Sequence, residues 1–158
     1  MTKAIYPGSF DPITYGHLDL IERALTIFDH INVAVVENPD KDPLFSSEKR
    51  ADLIREVLTD FDHTSVDTFG GLLVEYVRYQ DCHVILRGLR ALSDFEYEFQ
   101  MSMMNKRLAE EIETVYMMPA EDHSFVSSSL VKEVGSLDGE IETLVPEPVQ
   151  EALRERYS

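Results

Sequence analysis

Five short apolar stretches, each bounded on its far side by Gly or Pro and each followed by residues at helical spacing, constrain this chain more than any other feature. Lys3–Tyr6 stops at Pro7-Gly8, and Ile31–Val36 is a β-branched run leading to a loop marked by Pro39 and Pro43. Thr64–Phe69 breaks at Gly70-Gly71, Cys82–Leu86 meets Arg87-Gly88, and Thr114–Met118 stops at Pro119. Such runs are the mark of strands buried on both faces. Between them the period changes. Leu18, Ile21, Leu25 and Phe28 fall on one helical face, and Ala51, Ile54, Leu58 and Phe61 on another behind a cap at Ser46 or Ser47. Leu73, Tyr76 and Val77 mark a short helix, and a long one is predicted from about Ser93 to Glu110. Ser127 opens another that ends near Gly135, and the last begins after Pro146 or Pro148.

Strands separated by helices predict βαβ units. The expected fold is therefore α/β, a doubly wound five-stranded parallel sheet with helices on both faces. The 158 residues suit a single domain, 1–158, with no internal repeat, linker or low-complexity tract. No apolar run approaches the roughly 20 residues that cross a bilayer, and Met1–Pro7 has no signal-peptide apolar stretch. Cys82 is the lone cysteine, so a reduced, cytoplasmic setting is expected. It reads as a core filler within its strand.

Thirty acidic residues against fourteen basic ones leave a formal charge of −16. Nucleic acid and anionic membranes would be repelled, and neither is expected as a partner. The charge has two readings, solubility and adaptation to high salt.

In open parallel sheets, ligands sit outside the carboxyl ends of the strands. The segments there carry the chemistry. Gly8 lets the first loop turn and lets a ligand approach the backbone. Gly16-His17 lies where the first helix opens, and a helix N-terminus suits phosphate. His17 is either a phosphate donor or a capping imidazole. Arg87-Gly88-Leu89-Arg90 places two guanidinium groups about a glycine, which suits bidentate phosphate contact. Its alternative is surface pairing with Asp94 or Glu96. Ser127-Ser128-Ser129 at a helix start exceeds what one cap needs and suits an anion cradle. Lys41, between Asp40 and Asp42, reads alone as a solvated charge, and Glu98 as a helix-surface carboxylate. There is no G-x-S-x-G elbow, Walker lysine loop or G-x-G-x-x-G after the first strand. His30, His63 and His83 lack metal-ligand spacing, so no protein metal ligands are expected.

Tyr6–His17, Pro39–Phe45, Arg87–Gln100 and Ser124–Glu133 together resemble the phosphopantetheine adenylyltransferase family of bacterial coenzyme A synthesis. Thr14-Tyr15-Gly16-His17 resembles the T/H-x-G-H signature of the wider nucleotidyltransferase superfamily, and the Arg87 and Ser124 stretches are the more specific. The resemblance implies a Rossmann-like domain, a homohexamer and Mg²⁺. It implies transfer of an adenylyl group from ATP to 4′-phosphopantetheine, giving dephospho-coenzyme A and pyrophosphate, with coenzyme A as a product-like inhibitor. His17 would stabilise the transition state and contact ATP phosphates. Ser9 and Phe10 would contact ATP, as would Gly88, Leu89, Arg90, Glu98, and His123 with Ser124, Phe125, Val126, Ser127, Ser128 and Ser129. Ser9, Lys41, Leu73 and Arg87 would bind the acceptor. Ser9 stands where Thr is common, which keeps the hydroxyl, and His123 stands where some relatives have Trp.

Two anions must be brought together, and no protein nucleophile is needed for direct in-line attack, so catalysis reduces to positioning and charge stabilisation. A positive pocket on a negative globule is expected. In the long helix, Phe95, Phe99 and Met103 form one apolar stripe and Tyr97, Met101, Met104 and Leu108 a second. One stripe is expected to face the core and the other a second subunit. The alternatives are another small-molecule nucleotidyltransferase of the superfamily and a non-catalytic nucleotide-binding module.

Overall fold

The computed structural model describes residues 1–37, 42–90 and 92–158. Five strands, β1 (Lys3–Gly8), β2 (His30–Val36), β3 (Thr64–Phe69), β4 (Val84–Gly88) and β5 (Glu113–Met117), form one sheet in the order β3-β2-β1-β4-β5. Every adjacent pair is parallel. The helices are α1 (Tyr15–Ala24), α2 (Ser47–Val57), α3 (Leu73–Tyr79), α4 (Leu92–Leu108), α5 (Ser128–Ser136) and α6 (Glu147–Tyr157). A 3₁₀ turn spans Glu121–His123.

Side chains alternate across the strands, as a period of two requires. Ala4, Tyr6, Ile31, Val33, Val35 and Leu86 face a core built with residues of α1, α2, α5 and α6. Ile5, Ala34 and Ile85 face the opposite way, against Val74 and Val77 of α3 and Ala109 and Ile112 beyond α4. Helices therefore cover both faces, as expected for a doubly wound sheet.

Three differences from the sequence reading have physical causes. Cys82 lies before β4, not within it. Its buried thiol donates to the Lys3 carbonyl (3.3 Å), so it does fill core while the strand starts later. β1 continues through Pro7 to Gly8. Pro7 has no N–H to offer, and its carbonyl is taken by the Arg87 guanidinium at 2.8 Å, so a side chain joins β1 to β4 there. Finally, neither apolar stripe of α4 is buried. Phe95, Tyr97, Phe99, Met101, Met103, Met104 and Leu108 are all exposed, and among the helix residues whose burial is described the buried one is Glu98.

Candidate active site

The strand order reverses direction between β1 and β4, and in open α/β sheets that point leaves a crevice outside the strand ends. A cleft of about 660 Å³ opens there, with walls from the β1–α1 loop, the end of β4 with the start of α4, and the start of α5.

On the first wall, Thr14 caps α1 in a capping box closed by His17. The Thr14 backbone N–H donates to His17 Nδ1 at 3.0 Å. Nδ1 is therefore an acceptor, and the neutral ring carries its proton on Nε2. Burial, with the nearby Arg90 and Arg87 charges, pulls the imidazole pKa down to about 3. His17 thus both closes the capping box and lines the cleft as a donor, and it offers one ring proton rather than two. Phe10 supports it, with ring centroids 4.9 Å apart in an edge arrangement. Phe10 itself sits at φ 48°, in the left-handed region that a bulky residue occupies only under constraint from its neighbours. A Cβ on Gly8 would stand 3.1 Å from the Phe10 ring.

The second wall is an ion-pair lattice. Arg87 Nε donates to Glu98 Oε1 at 2.9 Å, Nη2 donates to the same oxygen at 2.5 Å, and Nη1 donates to the Pro7 carbonyl. Burial opposes the Arg87 charge, but the hydrogen-bonded Glu98 carboxylate outweighs it and holds the guanidinium pKa above its ordinary value. Glu98 is only 7 % exposed, so it is no helix-surface carboxylate. The Glu98 side chain turns inward to Arg87 on β4, and the Glu98 backbone carbonyl accepts from the Tyr116 hydroxyl on β5 at 2.7 Å. Arg90 makes a looser pair with Asp94 (3.1 Å), half-exposed, as one of the sequence readings expected. A Cβ on Gly88 would lie 2.7 Å from Leu20 Cδ1, so any larger residue there would force the buried Leu20 side chain to shift.

The three serines of the third wall have three different jobs. Ser127 caps α5 by accepting from Leu130 N at 3.1 Å. Ser128 donates to the Pro12 carbonyl at 2.7 Å and ties α5 to the first loop. Ser129 lines the cleft and, among the described residues, has no recorded side-chain partner. The cradle offered to an anion is accordingly the Ser129 hydroxyl, the Ser127 O–H that capping leaves unspent and the free N–H groups of the first helical turn, without the Ser128 hydroxyl.

Of the residues singled out in the sequence, Ser9, Phe10, His17, Arg87, Gly88, Leu89, Arg90, Glu98, His123, Val126, Ser127, Ser128 and Ser129 all line this one cleft. Ser124 and Phe125 do not line it: both are exposed, and Ser124 donates to the Glu121 carbonyl instead. Leu73, the first residue of α3, also lies off the cleft, partly packed against the second core. Lys41 falls outside the described residues. The expectation of a positive pocket is corrected, since among the described residues Arg87 and Arg90 each hold a carboxylate.

Sequence reasoning missed Asp11 and Arg50. Both are charged and 4 % exposed, and both flank a second cavity of about 290 Å³ that shares Ser9, Ser128 and Ser129 with the cleft. Arg50 did carry a signal, because it sits among Ala51, Leu53 and Ile54 on the buried face of α2, where a charge is out of place.

The cytidylyltransferase-like family matches residues 5–134. The chain is 58% identical over 155 residues to a protein of Geotalea daltonii named phosphopantetheine adenylyltransferase, covering 98% of this chain and 96% of that one. Proteins of the same name from Geobacter metallireducens (56% identical, 98% and 95% covered) and Alkaliphilus oremlandii (52%, 99% and 100%) are similarly related.

Proposed function

We propose, since the chain belongs to the cytidylyltransferase-like family and within it to the phosphopantetheine adenylyltransferases, that it transfers an adenylyl group from ATP to 4′-phosphopantetheine. The products are dephospho-coenzyme A and pyrophosphate. The observation that carries the reading is the convergence of His17, the Arg87–Glu98 pair, Arg90 and the start of α5 on a single cleft.

An oxygen of the acceptor's phosphate attacks the α-phosphorus, and the bond to the bridging oxygen of the leaving pyrophosphate breaks. The α-phosphoryl oxygens gain charge crowding in the transition state, and the His17 Nε2–H is the fixed donor for them. Its worth lies in being set before the substrate arrives, because Thr14 holds the tautomer and the ring does not reorganise. The start of α5 supplies N–H groups and its dipole to the triphosphate. Ser9 lies beside both cavities, where an acceptor phosphate would meet the nucleotide. Arg87 cannot offer Glu98 and a phosphate the same two N–H groups, so its acceptor contact would use the outer N–H groups of Nη1 and Nη2. Arg90 parts from Asp94 at little cost, because half-exposed pairs are worth about 1 kcal/mol or less.

No group of three or more His, Cys, Asp or Glu side chains that could hold a metal occurs among the described residues. The cleft carboxylates Glu98 and Asp94 are already paired with arginine. This donor set fits an Mg²⁺ that keeps phosphate oxygens and waters as its main ligands. Bound there, the ion would neutralise part of the triphosphate charge that this paired-off cleft leaves unbalanced.

The exposed stripes of α4, with the Phe95 and Phe99 rings stacked 6.1 Å apart, are read as a subunit interface in a homohexamer. A cytoplasmic location and inhibition by coenzyme A complete the reading. The deciding experiment is mass spectrometry of the products formed from protein, MgATP and 4′-phosphopantetheine. Dephospho-coenzyme A with stoichiometric pyrophosphate is expected. Adenylylation of a different acceptor, or none, overturns the assignment.

A further inference from the structure

Arg50 and Asp11 grip one residue, Phe45, through the backbone groups on its two sides. The Phe45 N–H donates to Asp11 Oδ1 at 3.0 Å, and the Phe45 carbonyl accepts from Arg50 Nε at 3.0 Å. Each charged group then reaches further. Asp11 Oδ2 accepts from Leu44 N at 2.8 Å and pairs with Lys132 of α5 at 3.2 Å. Arg50 Nη1 donates to the Ser9 carbonyl at 2.7 Å and to Val36 at 3.1 Å. Three segments that follow different strands are pinned together: the loop bearing Ser9, the end of the β2–α2 connection, and α5.

Buried charges are a poor way to gain stability. Apolar residues of similar volume often do as well or better, so such a cluster is better explained by the geometry it fixes. Here the fixed geometry is local and directional. The carbonyl of Ser9 is held by a guanidinium, and Ser9 lines both cavities. Among the described residues the hydrogen bonds of Arg50 all go to carbonyl oxygens, while the Asp11 and Glu37 carboxylates offset its charge from nearby.

We propose that Arg50 is a positioning residue for adenylyl transfer: by holding the Ser9 and Phe45 carbonyls, with Asp11 and Lys132 as counter-anchors, it sets the acceptor side of the cleft. The proposal rests on the reaction assigned above. It differs from a structural role in what it affects. A displacement of about 1 Å at the reacting groups can cost about a hundredfold in rate without loss of folding. Arg50→Lys keeps the charge and core position, but its single nitrogen cannot span the carbonyls that Nε and Nη1 reach.

The test measures initial rates against each substrate separately, with wild-type enzyme as the control for the reaction. For Arg50→Lys, kcat/KM for 4′-phosphopantetheine is expected to fall by about ten- to a hundredfold, while the KM for ATP stays unchanged. A lower melting temperature with unaltered acceptor kinetics overturns the proposal, as does an equal loss for both substrates. If Arg50→Lys does not fold, Lys132→Met decides. It removes the outer anchor at a partly exposed side chain, and it must raise the acceptor KM while leaving that of ATP alone; an unchanged acceptor KM overturns the proposal. Failure of the wild-type control instead indicts the assigned reaction, which separates the two ideas.

Discussion

The Thr14 amide and the His17 imidazole are joined at 3.0 Å through Nδ1, so the residue that closes the capping box of α1 is also the one whose Nε2 proton is left for the cleft. A single hydrogen bond therefore couples the folding of the first helix to the protonation form of the proposed transition-state donor. His17→Ala is expected to lower turnover by about 10²–10³-fold, the usual effect of losing such a donor, while ATP still binds. Rapid-quench turnover and equilibrium ATP titration check this, and near-normal turnover would remove His17 from the mechanism.

The depressed pKa of His17 fixes the sign of a pH effect. The folded value, about 3, lies below the ordinary 6.5, so between these limits the unfolded chain binds more protons than the native one. The contribution of this group to stability is complete above about pH 6.5 and is lost as pH falls toward 3. Denaturant melts at several pH values should show a smaller acid-side loss in His17→Gln than in wild type. Equal losses would mean that the ring is not held neutral.

Glu98→Ala should destabilise the chain by about 3 kcal/mol, because it leaves the Arg87 guanidinium without its buried partner. Glu98→Gln, which keeps an acceptor for Nε, should recover most of that loss. Urea midpoints measure both. If the alanine variant is as stable as wild type, the pair is not what holds the second wall.

Asp94→Asn should free Arg90 for the nucleotide and lower the KM for ATP by up to about fivefold, the worth of a half-exposed ion pair. A raised KM would show instead that Asp94 itself serves the nucleotide.

Phe99→Asp places a charge in the exposed stripe of α4 and should shift the assembly toward smaller species. Light scattering after size exclusion reads the mass directly. A wild-type chain that is already monomeric rules out the interface.

Strand positions were legible because β-branched runs such as Ile31–Val36 have few other uses, and their spacing implied a parallel sheet wound on both faces. The cleft was legible in part for a topological reason: residues after β1, β4 and β5 must meet at one edge. What could not be read was pairing over distance. Nothing local to Glu98 says that it turns inward to meet Arg87, eleven residues earlier, and nothing in a serine triplet says that one hydroxyl reaches back to Pro12. The α4 stripes misled for a related reason, since apolar spacing shows that a face will be covered and not by what. Arg50 was visible as an anomaly on an apolar face, but its three carbonyl partners lie on segments that only the fold brings together.

The arginines at the cleft already hold carboxylates, and that arrangement makes binding an exchange. A small anion arriving alone at Arg90 must displace Asp94 and gains one charged contact for the one it breaks. On the proposed reading, a nucleotide polyphosphate would reach Arg90, His17 and the α5 amides at once, so the gain would accumulate while the displacement is suffered once. Selectivity against the many small anions of a cell then comes from the count of simultaneous contacts, and affinity for the true ligand should depend less steeply on salt than an open basic pocket would require.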